Sequence, residues 1–241
     1  MAWYYAVAEQ DHELQNPTSP EKIALLGETM RLGPESRVLD LACGKAGPAV
    51  LLAATYGCSV VGVERAAEFA EVARERVTAS GLDALIEIVE GDAAAFPIED
   101  GAWDAALCLG ASFVWHDLDG TLAALAPAVR PGGNVAVGEP FWRTWPLPPG
   151  VDDLGYVTLE ETAARFAAAE LALVGLIAAS EDDWDHYESQ HWGALETWLA
   201  EHPDDPSAPE IRERHEANRS EYLRFERDLL GWAIFVARRV G

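Results

Sequence analysis

A short apolar strand that ends in an acid and runs into a loop of small residues limits the possible folds of this chain most strongly. The stretch spans Arg37–Gly47 and reads RVLDLACGKAG. Asp40 lies near the carboxyl end of the predicted strand, Gly44 and Gly47 permit a tight turn, and the apolar run that follows predicts a helix. This order of strand, loop and helix predicts an α/β fold with a cofactor lying against the loop.

Strand and helix signals alternate along the remaining residues. The patterns predict strands at 37–41, 59–64, 84–89, 103–109, 134–138, 171–179 and 232–239, and helices at 20–32, 48–56, 69–80, 116–129 and 159–170. Gly, Pro and Trp between residues 141 and 155 predict a loop, and residues 130–133 predict a turn. The alternation predicts a doubly wound α/β fold, with a seven-stranded, mostly parallel sheet.

Two segments extend this pattern within one predicted domain, residues 1–241. Residues 1–19 are too aromatic for a free tail and too irregular for a clear element, so we expect them to pack, as a lid over the site. Between the last two strands lie about fifty residues, where a hairpin needs about two to five. Apolar residues at helical spacing on both sides of a proline-rich break at 202–209 predict a two-helix cap at 181–230.

The glycine loop is open to two interpretations until its residues are compared one by one. The dinucleotide-binding fold has G-x-G-x-x-G, of which this stretch has only Gly44 and Gly47, so an NAD-dependent oxidoreductase is the remote alternative. The order from Asp40 to Gly47 instead resembles the first motif of the class I S-adenosylmethionine (SAM) dependent methyltransferases, D-x-G-x-G-x-G. Ala42 and Ala46 replace two of its glycines.

The resemblance implies a Rossmann-like methyltransferase fold, a transferase activity that uses SAM and releases S-adenosylhomocysteine (SAH), and a set of cofactor contacts. In this reading Glu64 accepts hydrogen bonds from the ribose hydroxyls, Asp92 receives the adenine amino group, and Gly110 lies near the methionine part. The implied cofactor-binding residues are Asp40, Ala42, Gly44, Glu64, Arg65, Asp92, Ala93 and Gly110.

Methyl transfer requires alignment of a nucleophile and, for some acceptors, removal of a proton. His116 is the first candidate base and Glu139 the second, although His116 also suits the start of a helix. Acids and aromatic residues near the mouth favour an amine or an aromatic metabolite, methylated on N, O or C. The predicted substrate contacts, for each of which plain packing is the alternative, are His12, Trp142, Trp184, Tyr187, His191 and Trp192.

Composition excludes several partners. The formal net charge is −24, with 17 Lys and Arg against 41 Asp and Glu, which disfavours nucleic acid because its phosphates require basic side chains. No apolar run is long enough to span a bilayer and the start lacks a basic region, so we expect a cytoplasmic protein that does not bind membranes. Cys43, Cys58 and Cys108 are scattered, which predicts small core residues.

Two family subtypes are disfavoured by the residues that follow the fourth strand. Leu109-Gly-Ala-Ser112 stands where enzymes that methylate nucleic-acid bases carry an Asn/Asp-Pro-Pro-Tyr motif. Metal-dependent catechol-type enzymes place an aspartate ligand there, so we expect no metal. The predicted substrate is a small molecule, the oligomeric state stays open, and a SAM-binding scaffold without turnover is the alternative to an enzyme.

Overall fold

One sheet of seven strands forms the centre of the computed structural model, which describes residues 2–240, apart from the side chains of Ala2 and Trp3. The strands are β1 (Arg37–Leu41), β2 (Ser59–Glu64), β3 (Ile86–Glu90), β4 (Trp103–Leu109), β5 (Val129–Trp142), β6 (Leu171–Ala178) and β7 (Leu230–Arg239). Their order is β3-β2-β1-β4-β5-β7-β6, and β7 alone runs antiparallel to its neighbours. The predicted fold class is confirmed.

Helices cover both faces of this sheet. They are α1 (Ala2–Ala8), α2 (Pro20–Thr29), α3 (Gly47–Tyr56), α4 (Ala67–Ala79), α5 (Leu118–Ala128), α6 (Leu159–Ala168), α7 (Glu181–Glu201), α8 (Ala208–Glu221) and α9 (Arg227–Leu229). Helix α2 begins as its sequence predicts, because the Ser19 side chain accepts from the Lys22 backbone N–H and Pro20 fills the first position. Within residues 2–240, every helix is too short or too polar to cross a bilayer.

Three local predictions are wrong. Residues 2–8 form a helix, α1, because Tyr4 and Ala8 pack against the second half of α7 and the start of α8; residue 1 of the predicted segment lies outside the described residues. The predicted turn at 130–133 belongs to β5, where an irregularity in the pairing with β4 absorbs the extra residues. Helix α5 begins at Leu118, because Asp117, and not His116, accepts the backbone N–H of Gly120.

Alternating residues of β1 enter two separate cores. Val38 packs in the core beneath α2 and α3, whereas Leu39 and Leu41 pack in the core beneath α5. All three cysteines are buried and free, as predicted for small core residues. Because both faces of the sheet are covered, polar groups at the ends of the central strands are left for a ligand.

The register of the last strands places the start of α7 at the carboxyl edge of the sheet. Ala233 of β7 pairs with Glu139 of β5 on one side and with Ala178 of β6 on the other. The chain therefore leaves β6 level with Glu139 and enters α7 after two intervening residues. The residues between β6 and β7 begin at the edge where the glycine loop also lies.

Candidate active site

The loop between β1 and α3 has a left-handed backbone at alternate residues. Ala42, Gly44 and Ala46 have φ values of 58°, 55° and 58°. Each of these conformations costs an L-residue with a Cβ about 1–2 kcal/mol. Glycine is therefore the favoured residue at all three positions, and the two alanines tolerate the same turn at a cost in stability.

Glu64 connects the glycine loop to the start of α4. One carboxylate oxygen accepts the backbone N–H of Gly44 at 3.0 Å, and the other accepts the N–H of Ala66 at 2.7 Å. A carboxylate oxygen has two acceptor sites, so each oxygen retains one for a ligand hydroxyl. Asp92 lies beyond the neighbouring strand β3 and caps a short helical turn at Ala93–Ala95.

Asp40 is a buried acid whose Oδ2 has no hydrogen-bond partner among the described residues. Burial and, to a smaller extent, the nearby Glu64 carboxylate together raise its pKa to about 7. An unpaired buried carboxylate oxygen is costly unless a donor or a cation reaches it. This oxygen faces a site suited to a positively charged ligand.

A cavity of about 850 Å³ lies over the loop and the ends of β1 to β3. We call it the cofactor cavity. All eight predicted cofactor residues line it: Asp40, Ala42, Gly44, Glu64, Arg65, Asp92, Ala93 and Gly110. Other acids in the lining are Glu9, Glu13 and Glu68, against Arg65 as the one cation in the described lining, so the cavity favours a cationic ligand over a dinucleotide pyrophosphate.

The N-terminal segment closes one side of the cofactor cavity. The Lys45 ammonium is buried and donates to the backbone carbonyls of Glu9 and Gln10, and the Lys45 backbone N–H donates to the Gln15 side chain at 2.7 Å. Asn16 donates to the Leu109 carbonyl at 3.0 Å. A Cβ at Gly44 would lie 2.1 Å from the Gln15 Oε1 atom, so the segment approaches the loop as closely as glycine allows.

A second cavity, of about 570 Å³, adjoins the first at the ends of β4 and β5. We call it the acceptor cavity. The two cavities share five lining residues, which are Asn16, Gly110, Phe113, Tyr156 and Tyr187. Glu139, His116 and Arg165 line the acceptor cavity alone. A ligand in one cavity is therefore next to a ligand in the other.

Glu139 is half-buried and has a free oxygen. Its Oε2 accepts the Ser112 hydroxyl at 2.6 Å, and its Oε1 has no hydrogen-bond partner among the described residues. Burial raises the pKa of Glu139 to about 7, although the Ser112 hydrogen bond and the Arg165 guanidinium act in the opposite direction. A carboxyl group with this pKa exchanges a proton near neutral pH.

His116 lines the same cavity in a different setting. Its side chain is exposed, and its backbone has φ 76°, which is unusual for a residue with a Cβ. It ends a short helical turn at Ser112–Trp115 and precedes the cap of α5. Of the two predicted bases, Glu139 is the less exposed and has the shifted pKa of a proton-transfer group.

The predicted substrate residues separate into three groups. Trp184 and Tyr187 line the acceptor cavity. His12 and His191 lie beside it: their rings are 4.5 Å apart, the His12 Nε2–H donates to the Tyr187 carbonyl at 3.0 Å, and burial lowers the pKa of His12 to about 4. Trp142 and Trp192 line neither cavity.

Trp142 and Trp192, which line neither cavity, contact packing partners instead. Trp142 donates to the Asp153 carbonyl at 2.9 Å, and Trp192 packs against Tyr222 with 5.9 Å between ring centroids. Sequence reasoning missed several residues that line the cavities, among them Gln15, Asn16, Ser112, Tyr156 and Arg165. Their only signal was a position after a strand, within a long loop or, for Arg165, in a helix, and many residues share such positions.

The cofactor cavity fits the chemistry of SAM. Glu64 and Asp92 provide acceptors for hydroxyl and amino hydrogens, and the unpaired Asp40 oxygen and the surplus of acids suit a molecule with a sulfonium and an ammonium group. Gly44 in the left-handed loop and Gly110 after β4 both line this cavity with positive φ values, a conformation that favours glycine. Fold and cavity together define a site for a cationic nucleoside cofactor.

Comparison with known proteins places the chain in a family. The family model for a methyltransferase domain matches residues 38–133. The crystal structure of a SAM-dependent methyltransferase from Thiobacillus denitrificans in complex with SAH is 32% identical in sequence, covers 97% of this chain and 96% of its own, and has a TM-score of 0.91. The chain belongs to the SAM-dependent methyltransferases, and its cofactor is SAM.

Two curated proteins extend this comparison. The protein YjhP of Escherichia coli strain K12 is 29% identical over 238 residues, which cover 96% of each chain. The glycine/sarcosine/dimethylglycine N-methyltransferase of Actinopolyspora halophila is 29% identical over 168 residues, which cover 68% of this chain and 29% of that protein.

Proposed function

We propose that the protein transfers a methyl group from SAM to a small-molecule acceptor bound in the acceptor cavity. The observation that carries this proposal is the pair of adjoining cavities, in which a site for the cofactor meets a smaller cavity that contains Glu139. A volume of about 570 Å³ suits a small metabolite. Relatives named for N-, C- and O-methylation all occur, so the nucleophile is a nitrogen, oxygen or carbon atom in this proposal.

Each polar group at the acceptor cavity has a definite part in this proposal. Bound SAM supplies the methyl group as an electrophile on a sulfonium. Glu139 accepts the acceptor's proton on its free Oε1, while Ser112 holds the other oxygen and so fixes the carboxylate plane. Tyr187, a half-buried ring that lines both cavities, limits the access of water to the junction. A scaffold without turnover has no need of a proton acceptor with a raised pKa beside its cofactor.

We further propose that residues 1–19 and 181–230 cover the two cavities as parts of one domain, residues 1–241. Support comes from Asn16 of the first segment and Trp184 and Tyr187 of the second, which line the acceptor cavity. The two segments also contact each other, since His12 donates to the Tyr187 carbonyl. Such a cover would keep the acceptor aligned and dry during transfer.

The test is SAH release over pools of amines, phenols and carboxylic acids, followed by Glu139→Gln on the acceptor identified. The substitution keeps the shape but removes the base, so we expect kcat/KM to fall about 100- to 10,000-fold while the SAH dissociation constant stays the same. In the unchanged protein kcat/KM should rise with pH through about 7, because the raised pKa keeps Glu139 protonated below that pH.

The control is Glu87→Ala, an exposed residue of β3, which should behave as the unchanged protein. A folded Glu139→Gln variant with full activity and the same pH profile would remove Glu139 from the mechanism. Absence of SAH release from every pool, with SAH binding intact, would favour the scaffold.

A further inference from the structure

We propose that the acceptor is a zwitterionic amine, whose carboxylate binds Arg165 and whose nitrogen lies at Glu139. This inference rests on the proposed function, since it names the substrate class of the same cavity. It depends on two groups of opposite charge that line one small cavity without pairing with each other.

Arg165 is the cation of the acceptor cavity. It lies in the last turn of α6, is half-buried, and lines the cavity beside Tyr156 and Leu154. Glu139 and Glu161 are near enough to affect it electrostatically. Among the described residues, however, no carboxylate oxygen lies within the 4.0 Å of an ion pair with Arg165.

Position, and not the lack of a partner alone, sets Arg165 apart. Several other arginines, Arg31 and Arg143 among them, also make no ion pair with the described residues, whereas Arg165 is half-buried and lines a cavity that also contains acids. A guanidinium presents parallel N–H donors that match a carboxylate in two hydrogen bonds. Arg165 is therefore placed to bind an acidic group that the rest of this negatively charged molecule repels.

Glu139 lies in the part of the cavity that would bind the positively charged amine. Its free Oε1 and the Asp117 carboxylate give one part of the cavity negative charge. Aromatic side chains of Tyr156, Trp184 and Trp232 complete the lining, and rings of this kind attract cations. An amine is held there by charge, and it loses a proton to Glu139 as its nitrogen becomes the nucleophile. A phenol could give its proton to Glu139, but it has no positive charge for the aromatic rings to attract.

Matched acceptor pairs test this assignment. The probes are glycine, β-alanine and 4-aminobutanoate, each beside its primary amide, with SAH release as the measurement. The unchanged protein should prefer the carboxylate member of a productive pair about 10- to 150-fold in kcat/KM, the range for hydrogen bonds to a charged group. Arg165→Met should remove this preference through KM, Arg165→Lys should keep part of it, and SAH affinity should not change in either variant.

Arg212→Met, at an exposed arginine of α8, is the matched control and should keep the preference. The inference is overturned if the amides react as well as the acids, or if Arg165→Met retains the preference while folded. Turnover of neutral amines or phenols without turnover of amino acids would overturn the zwitterion alone and leave methyl transfer standing. Absence of turnover with every probe and every acceptor pool, despite SAH binding, would overturn both the zwitterion assignment and the proposed methyl transfer.

Discussion

Glu64 has two tasks that a single substitution would disturb together. Its oxygens accept backbone N–H groups from the glycine loop and from the start of α4, and it lines the cofactor cavity. We expect Glu64→Ala to weaken SAM binding by about 1.5–3 kcal/mol, or roughly 10- to 150-fold, measured by calorimetry. Glu64→Gln should recover part of this loss, because its amide oxygen still accepts one hydrogen bond.

A folded Glu64→Ala variant with unchanged SAM affinity would contradict the assignment of Glu64 to the ribose hydroxyls. Glu90, which pairs with Glu64 across the strands but is exposed and faces Arg74, offers the control. Its replacement by Ala should leave SAM affinity as it is.

Helix α7 offers a matched pair of tryptophans for the cover proposed above. Trp184 is buried and lines the acceptor cavity, whereas Trp192 packs on Tyr222 away from it. Loss of the Trp184 ring should raise the acceptor KM about two- to tenfold, as expected for one aromatic contact. SAH affinity should change little in Trp184→Ala, and Trp192→Ala should keep the acceptor KM.

Because Trp184 also belongs to the core, its variants need a check of folding. Circular dichroism and the melting temperature of Trp184→Phe, which keeps a ring, separate packing from acceptor contact. Equal KM values for Trp184→Ala and the unchanged protein would mean that this part of α7 only packs on the sheet.

At the scale of the whole molecule, charge should distinguish the cofactor from its product. The net charge of −24 and the acidic lining of the cofactor cavity attract SAM, which has one more positive charge than SAH. Raising the ionic strength from about 0.01 to 0.15 M shortens the screening length from about 30 to 8 Å. The SAM dissociation constant should therefore rise roughly two- to fivefold, and that of SAH less.

The dissociation constants of SAM and of SAH are measured by calorimetry across this range of ionic strength. Equal salt dependence for SAM and SAH would show that the acids of the lining do not act on the sulfonium. A larger change for SAH would contradict the electrostatic argument outright.

Local patterns were enough to predict residues that meet in one cavity. Asp40, Gly44, Glu64 and Asp92 each end or follow a strand, and all of them line the cofactor cavity. Strand ends are set by nearby residues, and parallel strands bring their carboxyl ends to one edge of the sheet. Ala42 and Ala46 have the left-handed backbone that favours glycine. The loop therefore keeps the conformation of the glycine motif although alanine stands at these two positions.

The acceptor side depended on contacts between residues far apart in the chain. Arg165, Tyr156 and Asn16 have no local pattern that predicts a site, and they meet Glu139 only because α6, the loop before it and the N-terminal segment pack at the end of β5. Trp142 and Trp192 had the residue type of a substrate contact but face packing partners.

The sequence by itself determined the alternation of strands and helices, the glycine loop and the acids that follow β1, β2 and β3, because each depends on residues close together in the chain. Only the tertiary structure decided which aromatic side chains line a cavity, that Glu139 accepts from Ser112 in a half-buried position, and that Arg165 has no acidic partner among the described residues. Those properties come from burial and distance, which arise when separate elements pack and leave a space between them.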